Sequence, residues 1–245
     1  MLSFNKQAGL GAAVAFTAGM WLVLAEANDA TTPAGMTPVA EFPKDYKGTP
    51  FTDSKYKDGA QKIPGKVMCA YYDLGGEGVA YHDTDAKNQG SGGLNPLDGK
   101  YLNEFRASEG VDTSYTKDSA DFWEGEAVTP PKEMLYVGWT EPGEWMNYTV
   151  DVAADGDYAI DILYTSNKGG ELSLDVNGKP LSKPITIAST NDPKDTTSWR
   201  QWHHWNIDKD AATVKLSKGR NLLTLHVVEK GNMNLGFLEF KLQKR

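Results

Sequence analysis

Five carboxylates, Glu77, Glu109, Asp112, Glu141 and Glu144, stand among glycines and aromatics in the middle of the chain and are of the type that does acid–base chemistry. Glycoside hydrolysis uses two such groups about 5–10 Å apart, and these residues are candidates for the pair. His203 and His204 are the other titratable side chains that attract attention. On the strand expected there, adjacent side chains face opposite ways, so the two cannot form one metal pair and one of them is expected to be buried. No His-Glu-x-x-His, Gly-x-Ser-x-Gly, phosphate-loop or dinucleotide fingerprint occurs. Three further fragments stand out: Tyr136-Val137-Gly138-Trp139-Thr140-Glu141-Pro142-Gly143-Glu144-Trp145, Trp199-Arg200-Gln201-Trp202, and Gly231-Asn232-Met233-Asn234-Leu235-Gly236-Phe237. The first and third set aromatics beside small or turn-forming residues, with strand-like sequence after Gly143 and Asn232.

The elements that must position these residues read as strands. Glu144 to Val152 alternates, with Met146, Tyr148, Val150 and Val152 on one face. Asp157 to Tyr164 repeats the device through Tyr158, Ile160, Ile162 and Tyr164, and Leu172, Leu174 and Val176 continue it into the hairpin turn Asn177-Gly178. Strands are also expected over Lys66 to Tyr72, Trp199 to Ile207, Ala212 to Leu216, Asn221 to Val228 and Asn234 to Leu242. No long amphipathic helix is present. The fold class is all-β, an antiparallel β-sandwich or jelly roll with long loops. Of Trp199, Trp202 and Trp205 at least one is expected in the core, and Trp145 likewise. Residues 73–135, rich in glycine and dotted with aromatics, read as one long loop region.

The 245 residues carry a net charge of −8 and a pI near 5.1. This argues against nucleic acid, which calls for a clustered basic face, and gives no reason to expect an anionic membrane surface. Residues 1–27 read as a signal peptide: Lys6, an apolar run from Ala8 to Ala25, then Ala25-Glu26-Ala27 for cleavage. The rival reading is an uncleaved membrane anchor, since the run approaches the ~20 residues that span a bilayer. Residues 28–60, rich in Thr, Pro, Gly and Lys, read as a linker or lead-in with Phe51 and Tyr56 as anchor points, and 61–245 as the structured domain. Cys69 is the sole cysteine, so no intrachain disulfide forms. Lying in the run Val67-Met68-Cys69-Ala70-Tyr71-Tyr72, it is expected to be a small buried hydrophobe.

From about Ile63 to Leu242 the chain resembles carbohydrate-binding modules of family 6. The resemblance is carried by Tyr72-Asp73-Leu74-Gly75-Gly76-Glu77-Gly78-Val79-Ala80-Tyr81-His82-Asp83, by Glu109-Gly110-Val111-Asp112, by the Gly-Trp…Gly-Glu-Trp fragment and by Asn232-Met233-Asn234-Leu235. It implies a β-jelly roll with a sugar cleft in the loops at one edge, of the lectin-like type appended to glycoside hydrolases. In such a cleft two aromatic rings pack on the apolar faces of a pyranose while a polar side chain orients its hydroxyls. By position the resemblance assigns Trp139 and Trp199 as the aromatics and Asn234 as the amide, with Asn232 the alternative if the register differs by two. Glu109 matches an acidic residue that contacts sugar hydroxyls in some members. Many members begin Ile-Glu-Ala-Glu, and those two carboxylates help to hold a structural calcium. Here Val67-Met68-Cys69-Ala70 replaces them, so Met68 and Ala70 stand where the acids would be. Calcium takes six to eight oxygens, and no cofactor is expected. Asp73, Asp83 and Glu239 are the carboxylates from which such a site would have to be rebuilt.

The expected function is non-catalytic recognition of a polysaccharide or oligosaccharide, a β-linked glycan for preference. The protein would act outside the cytoplasm, secreted, periplasmic or at the cell surface, and beside a partner glycoside hydrolase. Two alternatives differ in class: a glycoside hydrolase or accessory enzyme using the loop carboxylates, and a sandwich scaffold without sugar affinity. Exposed aromatics on one cleft mark the binder, and a close carboxylate pair in it marks the enzyme.

Overall fold

The computed structural model describes residues 41–125, 127–180 and 183–244. The expected signal peptide, its alternative as a membrane anchor, and the first part of the lead-in lie outside the described residues. In chain order the strands are β1 (Gln61–Ile63), β2 (Gly65–Met68), β3 (Tyr81–His82), β4 (Thr113–Tyr115), β5 (Leu135–Val137), β6 (Trp145–Val152) and β7 (Gly156–Ser166). They continue with β8 (Gly170–Val176), β9 (Lys179–Pro180), β10 (Ile185–Ile187), β11 (Asn206–Leu216), β12 (Gly219–Glu229) and β13 (Met233–Leu242). One α-helical turn, α1 (Asp118–Asp121), and two 3-10 helices, Cys69–Tyr71 and Ser198–Trp202, interrupt them.

The strands form two sheets. One is ordered β1-β6-β12-β8-β10, with β3 also on β6 and β9 on β8; the other is ordered β11-β7-β13-β5-β4, with β2 on β13. The long pairs are antiparallel, and short β1 runs parallel to β6. The period-two alternation explains why the sheets pack. Met146, Tyr148 and Val150 of β6, Leu223 and Leu225 of β12, and Ile160, Ile162 and Tyr164 of β7 enter one buried cluster. Each such side chain contributes about 1.5–3 kcal/mol on burial, which is how a chain with one cysteine holds together. Cys69 is itself buried, and burial pushes its thiol up to about 12. At the β8–β9 turn, Asn177 and Gly178 adopt φ of +51° and +75°, the left-handed pair that two-residue hairpins require.

Several local expectations are corrected. The strand expected over Lys66 to Tyr72 ends at Met68 and turns into the 3-10 helix. Trp199 to Trp202 is helical, not extended, and β11 begins only at Asn206. β11 then runs on to Leu216 with a shift of register between Asp208 and Ala212, joining two segments that the pattern separates. There the Asp161 carboxylate accepts the Asp210 N–H at 2.9 Å, and Asp210 takes φ +53°. Trp145 is half-buried, not core, because its neighbour Met146 takes the inward position; Trp145 lies on the outer face of β6, its ring centroid 6.5 Å from that of His82.

The described part of the lead-in packs onto the sandwich. Phe51 is buried with Ala70, Phe105 and Leu135, its ring stacked on Tyr71 with centroids 5.2 Å apart, and the Tyr46 hydroxyl donates to Asp73 Oδ2 at 2.8 Å. The glycine-rich stretch between β3 and β5 is held by polar side chains. Buried Asn88 donates to the Val111 carbonyl at 2.8 Å, and its Oδ1 accepts the N–H groups of Gly90, Ser91 and Thr113 at 3.0, 2.8 and 3.1 Å. Such satisfaction is what allows a loop backbone to be buried.

Candidate functional site

At one end of the sandwich six segments converge: the glycine-rich loop around residues 84–94, the residues just ahead of β4, the turn after β5, the turn between β7 and β8, the 3-10 helix ahead of β11, and the turn between β12 and β13. Thr140 staples two of them. Its hydroxyl accepts the Met233 N–H at 3.0 Å, and its carbonyl accepts the Asn232 N–H. Close approach fixes two glycines. A Cβ on Gly231, at φ +47°, would lie 2.3 Å from the Thr140 carbonyl oxygen, and one on Gly90 would lie 2.0 Å from the Thr113 carbonyl oxygen and 3.1 Å from the Trp139 ring.

Two adjoining depressions result, with Trp139, Trp202 and Asn232 lining both. The first, about 460 Å³, has walls of Tyr136, Trp139, Trp199 and Trp202, with His203 and Asn234 completing them. Trp199 is 55 % exposed and Leu94, at the same depression, 65 %. Three-fold periodicity explains the pairing of two of the rings, because side chains at i and i+3 eclipse in a 3-10 helix and Trp199 and Trp202 are so spaced. The helix is anchored by Arg200, whose guanidinium forks onto Asp195 with both contacts at 2.7 Å and lies 4.6 Å from the Trp123 ring centroid. That fork holds the Asp195 carboxyl well below the usual range. The Trp202 carbonyl receives two donors, Thr165 Oγ1 at 2.6 Å and Asn234 Nδ2.

The second depression, about 470 Å³, is polar, with Asp112, Glu141 and Glu144 against Lys168 and Lys230. Asp112 and Glu144 are buried, whereas both lysines are exposed. Burial, reinforced by Asp83, Glu144 and Asp85, pushes the Asp112 carboxyl up to about 7. Burial also raises Glu144, although it accepts the Glu141 N–H at 2.8 Å and the Thr84 hydroxyl at 2.9 Å.

Of the residues singled out in the sequence, Trp139, Trp199, Asn232 and Asn234 come together at the aromatic depression. Glu109 does not line either depression. It binds Arg106, with Oε2 2.7 Å from Nη2, and accepts the Tyr72 hydroxyl at 2.9 Å. The guanidinium in turn lies 3.4 Å from the Tyr72 ring centroid. Trp202, His203 and Tyr136 are the site residues that pattern reading missed. A strand assignment puts Trp199 and Trp202 on opposite faces; the available signal was their spacing of three. Trp205 is the fully buried member of the trio, its Nε1–H donating to Asp121 at 2.8 Å. The adjacent histidines separate, although neither lies on a strand and neither is fully solvated: His204 is buried against Asp195, and His203 is half-buried against Asp121.

The resemblance to the family places its structural calcium at Met68 and Ala70. Met68 packs against the cluster containing Trp205, and Ala70 is fully buried beside Phe51; neither side chain has an oxygen to offer. Asp73 is occupied by Thr149 and Tyr46. Among the described residues no three His, Cys, Asp or Glu side chains group so as to hold a metal.

The family profile for carbohydrate binding module (family 6) matches residues 103–242. Similar solved structures include a module of Cellvibrio mixtus lichenase 5A in complex with cellotriose, 22 % identical, covering 55 % of this chain and 98 % of that one at a TM-score of 0.39. The C-terminal family 6 module of a Zobellia galactanivorans laminarinase is 22 % identical over 44 % of this chain and 79 % of that one, at a TM-score of 0.36. A family 35 module of Clostridium thermocellum is 18 % identical over 54 % and 88 %, at 0.38. No curated protein matches. On the match to more than half of its length, the chain belongs to carbohydrate-binding module family 6.

Proposed function

We propose that the protein binds a polysaccharide or oligosaccharide without cleaving it, through the aromatic depression. One observation carries this reading: Trp139, Trp199 and Trp202 line one hollow with Asn232 and Asn234 at its edge, which couples flat apolar surface to amides that both donate and accept. That is the combination a pyranose needs, with C–H faces to cover and hydroxyls to orient. Exposure of Trp199 at 55 % supports it, because a ring serving only the core would be covered. The protein acts outside the cytoplasm on a β-linked glycan, and beside a glycoside hydrolase. The site uses no metal.

The test is a glycan array followed by affinity electrophoresis in the polysaccharides that score. Replacing Trp139 and Trp199 together by Ala is expected to weaken binding at least about thirtyfold, the cost of losing a central aromatic contact of about 2 kcal/mol. Unchanged mobility of the folded double variant in every such gel would remove the depression as the site.

Hydrolysis keeps one observation in its favour, the raised carboxyl of Asp112 beside Glu144 in the adjoining depression. Release of reducing ends from a bound glycan, abolished by Asp112→Asn, would replace the binding reading with that one.

A further inference from the structure

His203 lines the aromatic depression, its ring edge-on to Trp199 with centroids 6.2 Å apart. Its Nδ1 lies 2.9 Å from Asp121 Oδ1. Asp121, fully buried at the end of α1, also accepts the Trp205 Nε1–H on Oδ1 at 2.8 Å and the Lys117 N–H on Oδ2 at 2.7 Å. Three donors therefore converge on one carboxylate, which as an acceptor requires the histidine proton to sit on Nδ1. In the neutral ring the other nitrogen then carries a lone pair. The neighbouring His204 differs, because its Nε2 faces Asp195 at 3.1 Å. Asn234, for its part, has its amide N–H engaged by the Trp202 carbonyl.

We infer that His203 is a recognition group of this site: its Nε2 accepts a hydroxyl of a neutral sugar, and Asp121 is the positioning residue that fixes the ring and its tautomer. The inference rests on the reading of the depression as a glycan site. It also narrows the ligand. A lone pair takes a hydroxyl proton, whereas the carboxylate of a uronic acid has none to give and meets like polarity. The class selected is a neutral, hydroxyl-rich glycan over an acidic one.

Two readouts test this, one of them independent of sugar. In the full chain, the ¹⁵N shifts of the His203 ring are expected to report the Nδ1–H tautomer; an Nε2–H tautomer overturns the inference whether or not any glycan binds. Calorimetric titration with cellotriose, laminaritriose and trigalacturonate then compares wild type with His203→Gln and His203→Asn. Glutamine keeps an acceptor near the Nε2 position, while asparagine keeps only the contact to Asp121. Binding of a neutral trisaccharide within about threefold of wild type for Gln, but about three- to tenfold weaker for Asn, supports the inference, that being the loss expected for one neutral hydrogen bond. Equal affinity of both variants and wild type, or preference of wild type for trigalacturonate, overturns it and leaves the glycan site standing. If neither these trisaccharides nor any glycan of the array binds wild type, the glycan reading itself falls and the inference with it.

Discussion

Glu109 and Asp112 lie three residues apart in one loop, yet only Asp112 reaches a depression. Glu109 is the counterion of a guanidinium that is nearly covered and that also donates to the carbonyls of Tyr72 and Asp73. Removing it strands that charge, so Glu109→Ala is expected to cost about 3 kcal/mol in urea unfolding while leaving the glycan affinity of the folded protein unchanged. A fall in affinity without a fall in stability would instead make Glu109 a contact residue. Asp112 should appear in the pH dependence of stability. Its carboxyl titrates near 7 in the folded protein and near 3.9 when unfolded. A carboxyl with a raised folded value binds protons more tightly in the native state, so its contribution is full below about 4 and is lost as pH rises towards 7. The span amounts to as much as about 4 kcal/mol at about 1.4 kcal/mol per pH unit. Asp112→Asn, which keeps the acceptor for the Gln89 N–H, is therefore expected to be more stable than wild type at pH 8 and to differ little at pH 4. Parallel melting curves across that range would contradict the assignment.

The 3-10 helix Ser198–Trp202 decides the shape of the aromatic depression, and it is the element that alternation reading gets wrong. An extended Trp199–Ile207 would have split the two tryptophans between faces. The helical turn eclipses them, and Asp195 keeps the turn in place by binding Arg200 ahead of β11. Asp195→Ala is expected to loosen this helix, weakening glycan binding several-fold, with Trp199 fluorescence shifting towards that of a fully solvated indole. Retained affinity would show that the tryptophans hold position without the fork. The long strands β6, β7, β8, β12 and β13 were legible because their large apolar residues recur with a period of two, although only β8 keeps a wetter face along its whole length. The bulge in β11 and the end of β2 were not, since a bulge depends on a distant side chain (Asp161 on β7) that no local pattern contains.

Across the whole molecule, the all-β class and the core followed from alternation and turn chemistry alone, and the family motifs brought Trp139, Trp199, Asn232 and Asn234 to one place. What stayed hidden was whatever depends on convergence of loops. Trp202 and His203 gain their positions from a carbonyl gripped by Thr165 and Asn234 and a carboxylate on α1, residues some 30 to 80 positions away. Glu109 was drawn towards the site by its place in a motif, although its partners Tyr72 and Arg106 serve the packing of the loop. The most direct test of glycan recognition at the aromatic depression is a titration of ¹⁵N-labelled protein with the tightest-binding oligosaccharide from the array, following the indole N–H resonances. The account expects those of Trp139, Trp199 and Trp202 to move in a saturable manner while that of Trp145, on the outer face of β6, stays still. Movement of Trp145 with the other three unchanged would contradict it.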